Sequence, residues 1–254
     1  INQLAPGPQG TRPLLAAVST NQLAAVKRML KVPCIQTDAL DGGGWGALHI
    51  ASYHGGLDVV RFLIAAGHPA DAKGGGAVGA TPLMRCVCHD HGEVLSCLME
   101  HGAKPRAVDG EGSTALHHAA AVGKSPNACV DTLLSGVGLS VDATDAKGRT
   151  ALAVAVTCGH FDFALDLLGK GASPLAVDGE GLGLVHLAAV RGDRAMIEML
   201  VDFVTSGGSV GAKKVLAATS ADGRTPLHCA CAAGASVAVI ETLLRMGASP
   251  TAKT

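Results

Sequence analysis

Four histidines recur at regular positions along this chain, and histidine is the side chain best suited to acid–base chemistry near neutral pH. They are His49, His117, His186 and His228, each three residues after a Gly or Thr. A catalytic histidine would need a nucleophile to activate, and no Ser or Cys lies in a motif that would pair with one of them. Their regular placement instead predicts a structural role, in which each ring hydrogen-bonds the turn before its helix and a neighbouring segment.

The segment Cys86-Val87-Cys88-His89-Asp90-His91 holds the densest set of possible metal ligands in the chain. Zinc needs four nitrogen or sulfur donors that converge tetrahedrally. A helix directs Cys86, Cys88 and His89 to different sides, so only Cys88 and His91 could approach each other. We therefore expect no metal and no other cofactor, and a metal-binding protein remains a minor alternative.

Two further patterns could support chemistry. Residues 74–81 have the outline of a phosphate-binding loop, but they lack the Lys that would reach the phosphates, and no parallel strand precedes them. Paired carboxylates can do acid–base work, but the acidic residues here are spread along turns, where Asp more often bonds its own backbone; they are Asp109, Glu111, Asp145, Asp178, Glu180 and Asp222. No motif supports catalysis, and we expect that the protein is not an enzyme.

The composition excludes several classes of partner. The chain has 20 Lys and Arg against 21 Asp and Glu, with a formal net charge of −1, so it lacks the basic surface typical of nucleic-acid or membrane-surface binding. No stretch approaches the roughly 20 apolar residues of a membrane span, and we expect no membrane insertion. The 8 cysteines show no CxxC spacing, which favours reduced thiols and a cytoplasmic or nuclear location.

The same composition also limits the kind of core. Hydrophobic residues make up 48% of the chain but aromatic residues only 2%, and there are 34 glycines. A core of this size must therefore be packed from Ala, Leu and Val, with many tight turns. Thin helices that pack closely through short side chains satisfy these limits.

A related segment occurs seven times. Its shared Leu or Val falls at positions 14, 48, 83, 116, 152, 185 and 227, with steps of 34, 35, 33, 36, 33 and 42. Repeats therefore start near residues 12, 46, 81, 114, 150, 183 and 225. Each continues with small residues, a Gly that ends a short helix, a second amphipathic helix and an Asp/Gly-rich turn. The longest connection, residues 204–219, is polar and Gly-rich and predicts a loop.

This pattern resembles the ankyrin repeat, whose signature is Thr-Pro-Leu-His-x-Ala at a period of about 33 residues. The segment at 225–228 carries the first four of these residues, and the resemblance covers residues 9–254. It implies an all-α solenoid of about seven helix-turn-helix repeats with projecting β-hairpin turns, in a single domain over 1–254. It also implies a protein–protein interaction module that binds through hairpin tips and inner helices on a concave face.

In this family the partner-contacting positions are the hairpin-tip residues before the signature and two residues near the end of the inner helix. In the second repeat these positions hold the only Trp and the only Tyr of the chain, the residue types most enriched among interface hot spots. We predict a binding face formed by Trp45, Tyr53, His54, Val78, Cys88, His89, Glu111, Ser113, Arg149, Arg191 and Arg224. The alternative is that Trp45 packs along its own hairpin and Tyr53 shields a neighbour.

Two functions follow from the resemblance. One is a free-standing adaptor that binds a protein or peptide; the other is a substrate-docking or targeting arm of a larger multidomain enzyme or channel. The start at Ile1 and the end at Thr254, where a further hairpin would begin, favour the second. We expect a monomer or part of a larger polypeptide, and the sequence does not identify its partner.

Overall fold

A computed structural model describes residues 13–32, 39–74, 79–136, 138–205 and 210–252. Within these ranges the chain forms seven pairs of α-helices and one additional helix, with no β-strand. In chain order the helices are α1 (Pro13–Ser19), α2 (Leu23–Met29), α3 (Ala47–His54), α4 (Leu57–Ala65), α5 (Pro82–Cys88), α6 (Gly92–Glu100), α7 (Ala115–Val122), α8 (Ala128–Gly136), α9 (Ala151–Cys158), α10 (Phe161–Gly169), α11 (Leu184–Arg191), α12 (Arg194–Thr205), α13 (Val210–Leu216), α14 (Pro226–Ala232) and α15 (Val237–Arg245).

The chain forms two compact units, residues 1–139 and residues 140–254. We call them the N-terminal unit, which contains α1 to α8, and the C-terminal unit, which contains α9 to α15. In each unit the first helix of a pair packs on the first helix of the next pair, as α3 packs on α5 and α9 on α11. We call these first helices the inner helices. The predicted repeating helix pairs are confirmed.

The shared Leu or Val of each repeat lies in the core of its unit. All seven are at most 9% exposed: Leu14, Leu48, Leu83, Leu116, Leu152, Val185 and Leu227. Buried alanines such as Ala51 and Ala119 follow on the same inner helices, and their short side chains let neighbouring helices approach closely. The predicted core of Leu, Val and Ala is therefore confirmed, and larger fully buried side chains such as Phe163, Met84 and Met196 add to it.

The ends of the inner helices follow from local chemistry. Thr150 precedes α9, and its hydroxyl accepts a hydrogen bond from the Ala153 N–H at 3.2 Å, which satisfies one of the helix's unpaired donors. The helix ends at Gly159, whose φ of 77° lies in the left-handed region. Glycine stops the helix there because it adopts this conformation without a side-chain clash.

The recurring histidines have the structural role that the sequence predicts. The Nδ1 atom of His49 accepts from the Gly46 N–H at 3.3 Å, and its Nε2 atom lies 2.9 Å from the Ala80 oxygen of the next repeat. His186 makes the equivalent contacts with the Gly183 N–H and with the Ala218 and Arg224 oxygens. Each of these rings therefore caps its own helix and bonds the following repeat.

The Asp/Gly-rich turns share one hydrogen-bonding scheme. The Asp109 N–H donates to the Ser113 oxygen, and the Gly112 N–H donates back to the Asp109 oxygen, both at 3.1 Å. One carboxylate oxygen of Asp109 also accepts from the Glu111 and Ser113 N–H groups at 2.9 Å. The same scheme recurs at Asp41, Asp145 and Asp178.

The predicted hairpins appear in the C-terminal unit as turns closed by single antiparallel bridges, Thr144 with Thr150 and Val177 with Gly183. Successive turns are joined through their backbones. The Gly179 N–H donates to the Lys147 oxygen at 2.8 Å, and the Ala221 N–H donates to the Glu180 oxygen at 2.9 Å. These turns therefore form a hydrogen-bonded row along the unit.

The prediction of a loop over residues 204–219 is wrong for most of its described length. Helix α12 continues to Thr205, and Val210–Leu216 forms α13, which packs on α12; residues 206–209 lie outside the described ranges. Val215 and Leu216 are 9% and 1% exposed, so burial stabilises the extra helix. Gly211 allows close contact, because a Cβ atom there would lie 2.8 Å from the Val204 oxygen.

Candidate functional site

Four side chains of the N-terminal unit form a continuous group on the hairpin and inner-helix side. The Trp45 and Tyr53 ring centroids lie 5.4 Å apart with an interplanar angle of 51°. The Arg85 guanidinium carbon lies 4.2 Å from the centroid of the Trp45 ring, a cation–π arrangement. The ring of His89 meets Tyr53 at 4.3 Å and 80°. We call Trp45, Tyr53, Arg85 and His89 the aromatic–cation cluster.

Three local structures position the cluster. The carboxylate of Asp41 accepts from the Gly43 and Trp45 N–H groups at 2.8 Å and so orients the turn that carries Trp45. Tyr53 lies in the last turn of α3, and Arg85 and His89 lie four residues apart near the end of α5, on one face. Because α3 packs on α5, these residues meet.

A further hydrogen bond holds this end of the site together. The Nε2 atom of His91, which precedes α6, lies 3.0 Å from the Tyr53 oxygen. A Cβ atom on Gly55 would lie 2.5 Å from the His91 ring, so only glycine leaves room for this histidine after α3. The aromatic rings are therefore held in place before any partner arrives.

The cluster contains polar groups without protein partners. The Nε atom of Arg85 and the Nε2 atom of His89 are buried and make no hydrogen bond to any atom in the described part of the chain. Burial lowers the pKa of Arg85, although Cys88, Asp109, Tyr53 and Asp41 act in the opposite direction. Its guanidinium stays charged at neutral pH, because an arginine pKa begins far above that range.

The pKa of His89 is also lowered, first by burial and then by the positive charges of His91, Lys124 and His54. The Lys124 ammonium is close because it donates to the His89 backbone oxygen at 2.7 Å. His89 is therefore neutral near pH 7 in the free protein.

A buried carboxylate lies at the edge of the cluster. Asp109 is 6% exposed, and its second carboxylate oxygen lies 2.8 Å from the Nε2 atom of His118 on α7. Burial lowers the pKa of His118, and the hydrogen bond with Asp109 offsets part of that effect. With its other oxygen bonded to two backbone N–H groups, Asp109 has both oxygens occupied.

The structure brings some predicted contact residues together and separates others. Trp45, Tyr53 and His89 lie in the cluster and are partly exposed, and the exposed His54 meets the Tyr53 ring edge-on at 5.2 Å. Glu111 is exposed at the tip of the turn that Asp109 orders. Val78 lies outside the described residues.

Two predicted contact residues offer a partner little surface. Cys88 is 3% exposed, and its thiol donates to the Met84 oxygen at 3.1 Å. Ser113 is 8% exposed, because its backbone is bonded into the Asp109 turn. In contrast, Arg85 was not among the predicted residues. The signal for it was helical spacing, since it lies four residues before His89 and therefore on the same face.

The three predicted arginines belong to the C-terminal unit. Arg149 is paired with Asp145 of its own turn, with Nη2 2.7 Å and Nε 2.9 Å from one carboxylate oxygen. Burial would raise the pKa of Asp145, but the hydrogen bonds and charge of Arg149 outweigh burial and lower it. Arg191 and Arg224 are exposed, and Arg191 donates to the Thr157 oxygen at 3.0 Å. Their binding role stays a prediction.

Within the C-terminal unit, hairpin tips and inner helices enclose a groove of about 660 Å³. Its walls come from the turns before α11 and α14 and from the ends of those helices, and include Glu180, Leu182, Val190, Asp222, Arg224 and Ala233. The predicted pairing of hairpin tips with inner-helix ends therefore forms a concave surface in this unit.

The segment with possible metal ligands is used for packing. The thiols of Cys86 and Cys88 donate to the Leu83 and Met84 oxygens, and His91 bonds the Tyr53 oxygen. Burial raises the pKa of Cys88 to about 11, so this thiol stays protonated and is a poor metal ligand at neutral pH. In the ranges that the structure covers, no three His, Cys, Asp or Glu side chains are grouped as metal ligands.

None of the described helices has the length and apolar character required to cross a membrane.

Comparison with known proteins gives matches along the whole chain. The family model for ankyrin repeats (3 copies) matches residues 1–74, 66–145, 83–178 and 167–254. The ankyrin repeat domain of human ASB11 is similar in structure, with a TM-score of 0.70 and 24% identity, and the match covers 94% of this chain and 99% of that domain. This likeness supports the fold.

Two relatives are longer proteins than this chain. Palmitoyltransferase AKR1 of Lachancea kluyveri is 31% identical over 191 residues, which is 73% of this chain and 26% of that protein. Rabankyrin-5 of Mus musculus is 28% identical over 171 residues, or 67% of this chain and 14% of that protein. The chain therefore spans about a quarter or less of these relatives. Its repeats, its helix pairs and these matches agree, and the chain belongs to the ankyrin repeat family.

Proposed function

We propose that this protein is a protein–protein interaction module that binds a partner protein or peptide through its hairpin tips and inner helices, with the aromatic–cation cluster as the main anchor. One observation carries the proposal. The only Trp and the only Tyr of the chain are in contact, with their rings tilted and partly exposed, beside two buried nitrogen atoms that bond no described protein atom.

Energetic reasons support this choice of anchor. Tryptophan, tyrosine and arginine are the residues most enriched among interface hot spots. Rings that are already held by Arg85, His89 and the Asp41 turn lose little conformational freedom on binding, and such pre-organisation improves affinity. The contacts of Trp45 with its hairpin, and of Tyr53 with its neighbour, are compatible with a binding role, because both rings keep an exposed surface.

A non-catalytic role fits the rest of the chain. The recurring histidines bond helix ends and neighbouring backbones, and the buried thiols of α5 are protonated. Neither set is arranged as a nucleophile with its base. We therefore propose that this region contributes binding and performs no reaction of its own.

The test uses a phage-displayed library of random dodecapeptides, selected on the purified protein. We expect selected peptides to bind the wild type and to bind the double variant Trp45→Ala/Tyr53→Ala roughly tenfold to hundredfold more weakly. Phe62→Ala is the matched control, since Phe62 is a partly exposed aromatic residue on α4, the second helix of the same repeat.

Circular dichroism would establish that all three proteins keep the same helicity. If no selected peptide depends on Trp45 and Tyr53, or if Phe62→Ala weakens binding equally, the cluster is not the anchor and the proposal fails.

A second candidate is a docking or targeting arm of a larger protein. It is favoured by the similarity to palmitoyltransferase AKR1, of which the matched region is 26%. Sequencing of the complete open reading frame would decide between them. A further domain with a catalytic or channel motif would support the docking arm, and a reading frame limited to repeats would support the adaptor.

A further inference from the structure

We propose that the aromatic–cation cluster recognises an acidic peptide segment, and that it binds the carboxylate of one Asp or Glu side chain between Arg85 and His89. This inference rests on the proposed function and deepens it, because it states the chemistry of the partner. It comes from the balance of donors and acceptors around the cluster.

Two nitrogen atoms of the cluster have no hydrogen-bond partner in the described residues. They are the Nε of Arg85 and the Nε2 of His89, and both are buried. The Arg85 Nε–H is a donor that is costly to leave unsatisfied, and the His89 Nε2 is a second donor once the ring is protonated. Both then gain from an acceptor that arrives with a partner. A carboxylate is the acceptor that best matches the planar fork of a guanidinium. Both atoms belong to side chains that are themselves partly exposed. The small rotamer changes that would bring these atoms to the surface are common on binding.

The carboxylates near the cluster already accept hydrogen bonds within the protein. Asp41 uses a carboxylate oxygen on the Gly43 and Trp45 N–H groups, and Asp90 uses one on the Cys129 N–H at 2.9 Å. Asp109 has both oxygens bonded, to its own turn and to His118. These three carboxylates therefore stabilise the fold, while Arg85 has no ion pair with a carboxylate in the described ranges.

The charged and titratable groups near His89 lie on every element packed against it. They are His54 after Tyr53 on α3, Arg85 on α5 itself, Asp90 and His91 before α6, and Lys124 after α7. Of these groups Arg85 and Lys124 are cations at neutral pH, and the single carboxylate, Asp90, is bonded to backbone. A negatively charged group is therefore favoured here by charge complementarity.

The same environment favours a carboxylate over a phosphate. Only one guanidinium is present in the cluster, and Asp41 and Asp109 lie near enough to influence it. A group with a single negative charge meets less repulsion from these two carboxylates than a group with nearly two. Arginine clusters, in contrast, are the usual partners of phosphorylated side chains.

The inference also predicts a pH dependence. The pKa of His89 is lowered in the free protein, and a bound carboxylate would raise it. Binding then takes up a proton, so affinity increases as the pH falls through the range between the bound and the free pKa. The same change would not occur at a site that recognises only apolar side chains.

The experiment uses the peptides selected on the wild-type protein that depend on Trp45 and Tyr53. Affinity is measured from the fluorescence of Trp45, the only Trp of the chain, so that the signal comes from the site itself. We expect these peptides to share an Asp or Glu, and its replacement by Asn or Gln to weaken binding at least tenfold. Arg85→Gln should produce a similar loss, and Arg85→Lys a smaller one.

Arg28→Gln is the matched control, because it removes the same charge from an exposed arginine on α2 and should leave affinity unchanged. Binding by the wild type should become severalfold tighter between about pH 7.5 and about pH 6, and His89→Gln should abolish that change. Circular dichroism identifies any variant that fails to fold.

The outcomes separate the two proposals. If the peptides depend on Trp45 and Tyr53 but share no acidic residue, or if Arg85→Gln and Arg28→Gln bind equally well, the carboxylate assignment is wrong and the proposed function stands. If phosphoserine in place of the acidic residue tightens binding more than tenfold, the site prefers a dianion and the assignment is also wrong. If no peptide depends on Trp45 and Tyr53, the proposed function fails and this inference fails with it.

Discussion

At the scale of single residues, histidine has two roles in this chain, one in the scaffold and one in the candidate site. His49 and His186 are buried and bond two and three backbone positions respectively, whereas His89 is partly exposed with an unused ring nitrogen. The sequence pattern separates them correctly, because the first two recur at the signature position and the third does not. What the pattern could not show is the neighbour of each ring.

We expect His49→Ala to lower the free energy of unfolding by about 2–4 kcal/mol, because it leaves the Gly46 N–H and the Ala80 oxygen without their partner. Urea denaturation followed by circular dichroism measures the change. The exposed His101, which bonds only within its own turn, provides the control His101→Ala with an expected loss below about 1 kcal/mol. Equal effects of the two substitutions would contradict the structural role of His49.

Cysteine reactivity should follow burial. Burial raises the pKa of Cys88 to about 11 and, with the Asp90 carboxylate, that of Cys129 to about 12, whereas Cys231 is exposed. Because the thiolate is the reactive form, we expect iodoacetamide to modify Cys231 faster than Cys88 or Cys129 by a factor on the order of a hundred or more. Peptide mapping by mass spectrometry gives the rates, and early modification of Cys129 in the folded protein would contradict the packing.

At the scale of elements, the repeat pattern predicted what is repeated and failed where a repeat departs from it. The Leu and Val spacing identified all seven inner helices, because burial recurs with the period. The prediction for residues 204–219 was wrong, because a polar, Gly-rich composition is typical of a loop. In the structure one of these glycines, Gly211, instead allows α13 to approach α12. Glycine content alone does not distinguish a flexible segment from a close contact.

The same distinction gives a prediction for two glycines of the C-terminal unit. Gly148 has a φ of 73°, and a Cβ atom there would lie 2.7 Å from the Gly179 nitrogen. We expect Gly148→Ala to destabilise the protein by about 2 kcal/mol or more, because it combines backbone strain with a clash between turns.

Gly169 at the end of α10 is the matched control, because its helical position leaves open space around an added Cβ atom. Gly169→Ala should stabilise the protein by up to about 1 kcal/mol, since alanine favours a helix over glycine. Thermal and urea unfolding of both variants measure the two effects, and the same sign for both would contradict the row of bonded turns.

At the scale of the whole molecule, the fold was predicted well and the candidate site only in part. Trp45 and Tyr53 were predicted because rare residue types fall on the family's contact positions, and the structure brings them together with His89. Arg85 was missed, because its importance comes from contact with residues far away in sequence. Cys88 and Ser113 were included because the register identifies a position, whereas the exposure of a side chain depends on how neighbouring elements cover it.

Histidines that are fully or partly buried in the two units predict a common response to acid. Burial is the main cause that lowers the pKa of five of them, His49, His68, His89, His118 and His186. Below the unfolded value of about 6.5 the unfolded chain therefore binds more protons than the folded chain, and stability decreases as the pH falls through that value.

We expect the urea midpoint to be highest above about pH 7 and to decrease toward about pH 5.5. The decrease should be smaller in His186→Gln, because one of the contributing histidines is then absent. Titration of Asp145 does not interfere, since its pKa is lowered from a value that is already below this range. A midpoint that rises toward acid pH would contradict the burial of these rings.

The Asp-centred turns have a consequence for how such a protein changes over generations. In the turns of Asp41, Asp109, Asp145 and Asp178, one carboxylate oxygen satisfies the backbone of the residues two and four positions later. These bonds require a backbone N–H at each position and no particular side chain, and the pairs present are Gly and Trp, Glu and Ser, Lys and Arg, and Glu and Leu. Mutation can therefore change these surface side chains turn by turn while the hydrogen bonds of each turn are kept, and the same positions accept designed substitutions.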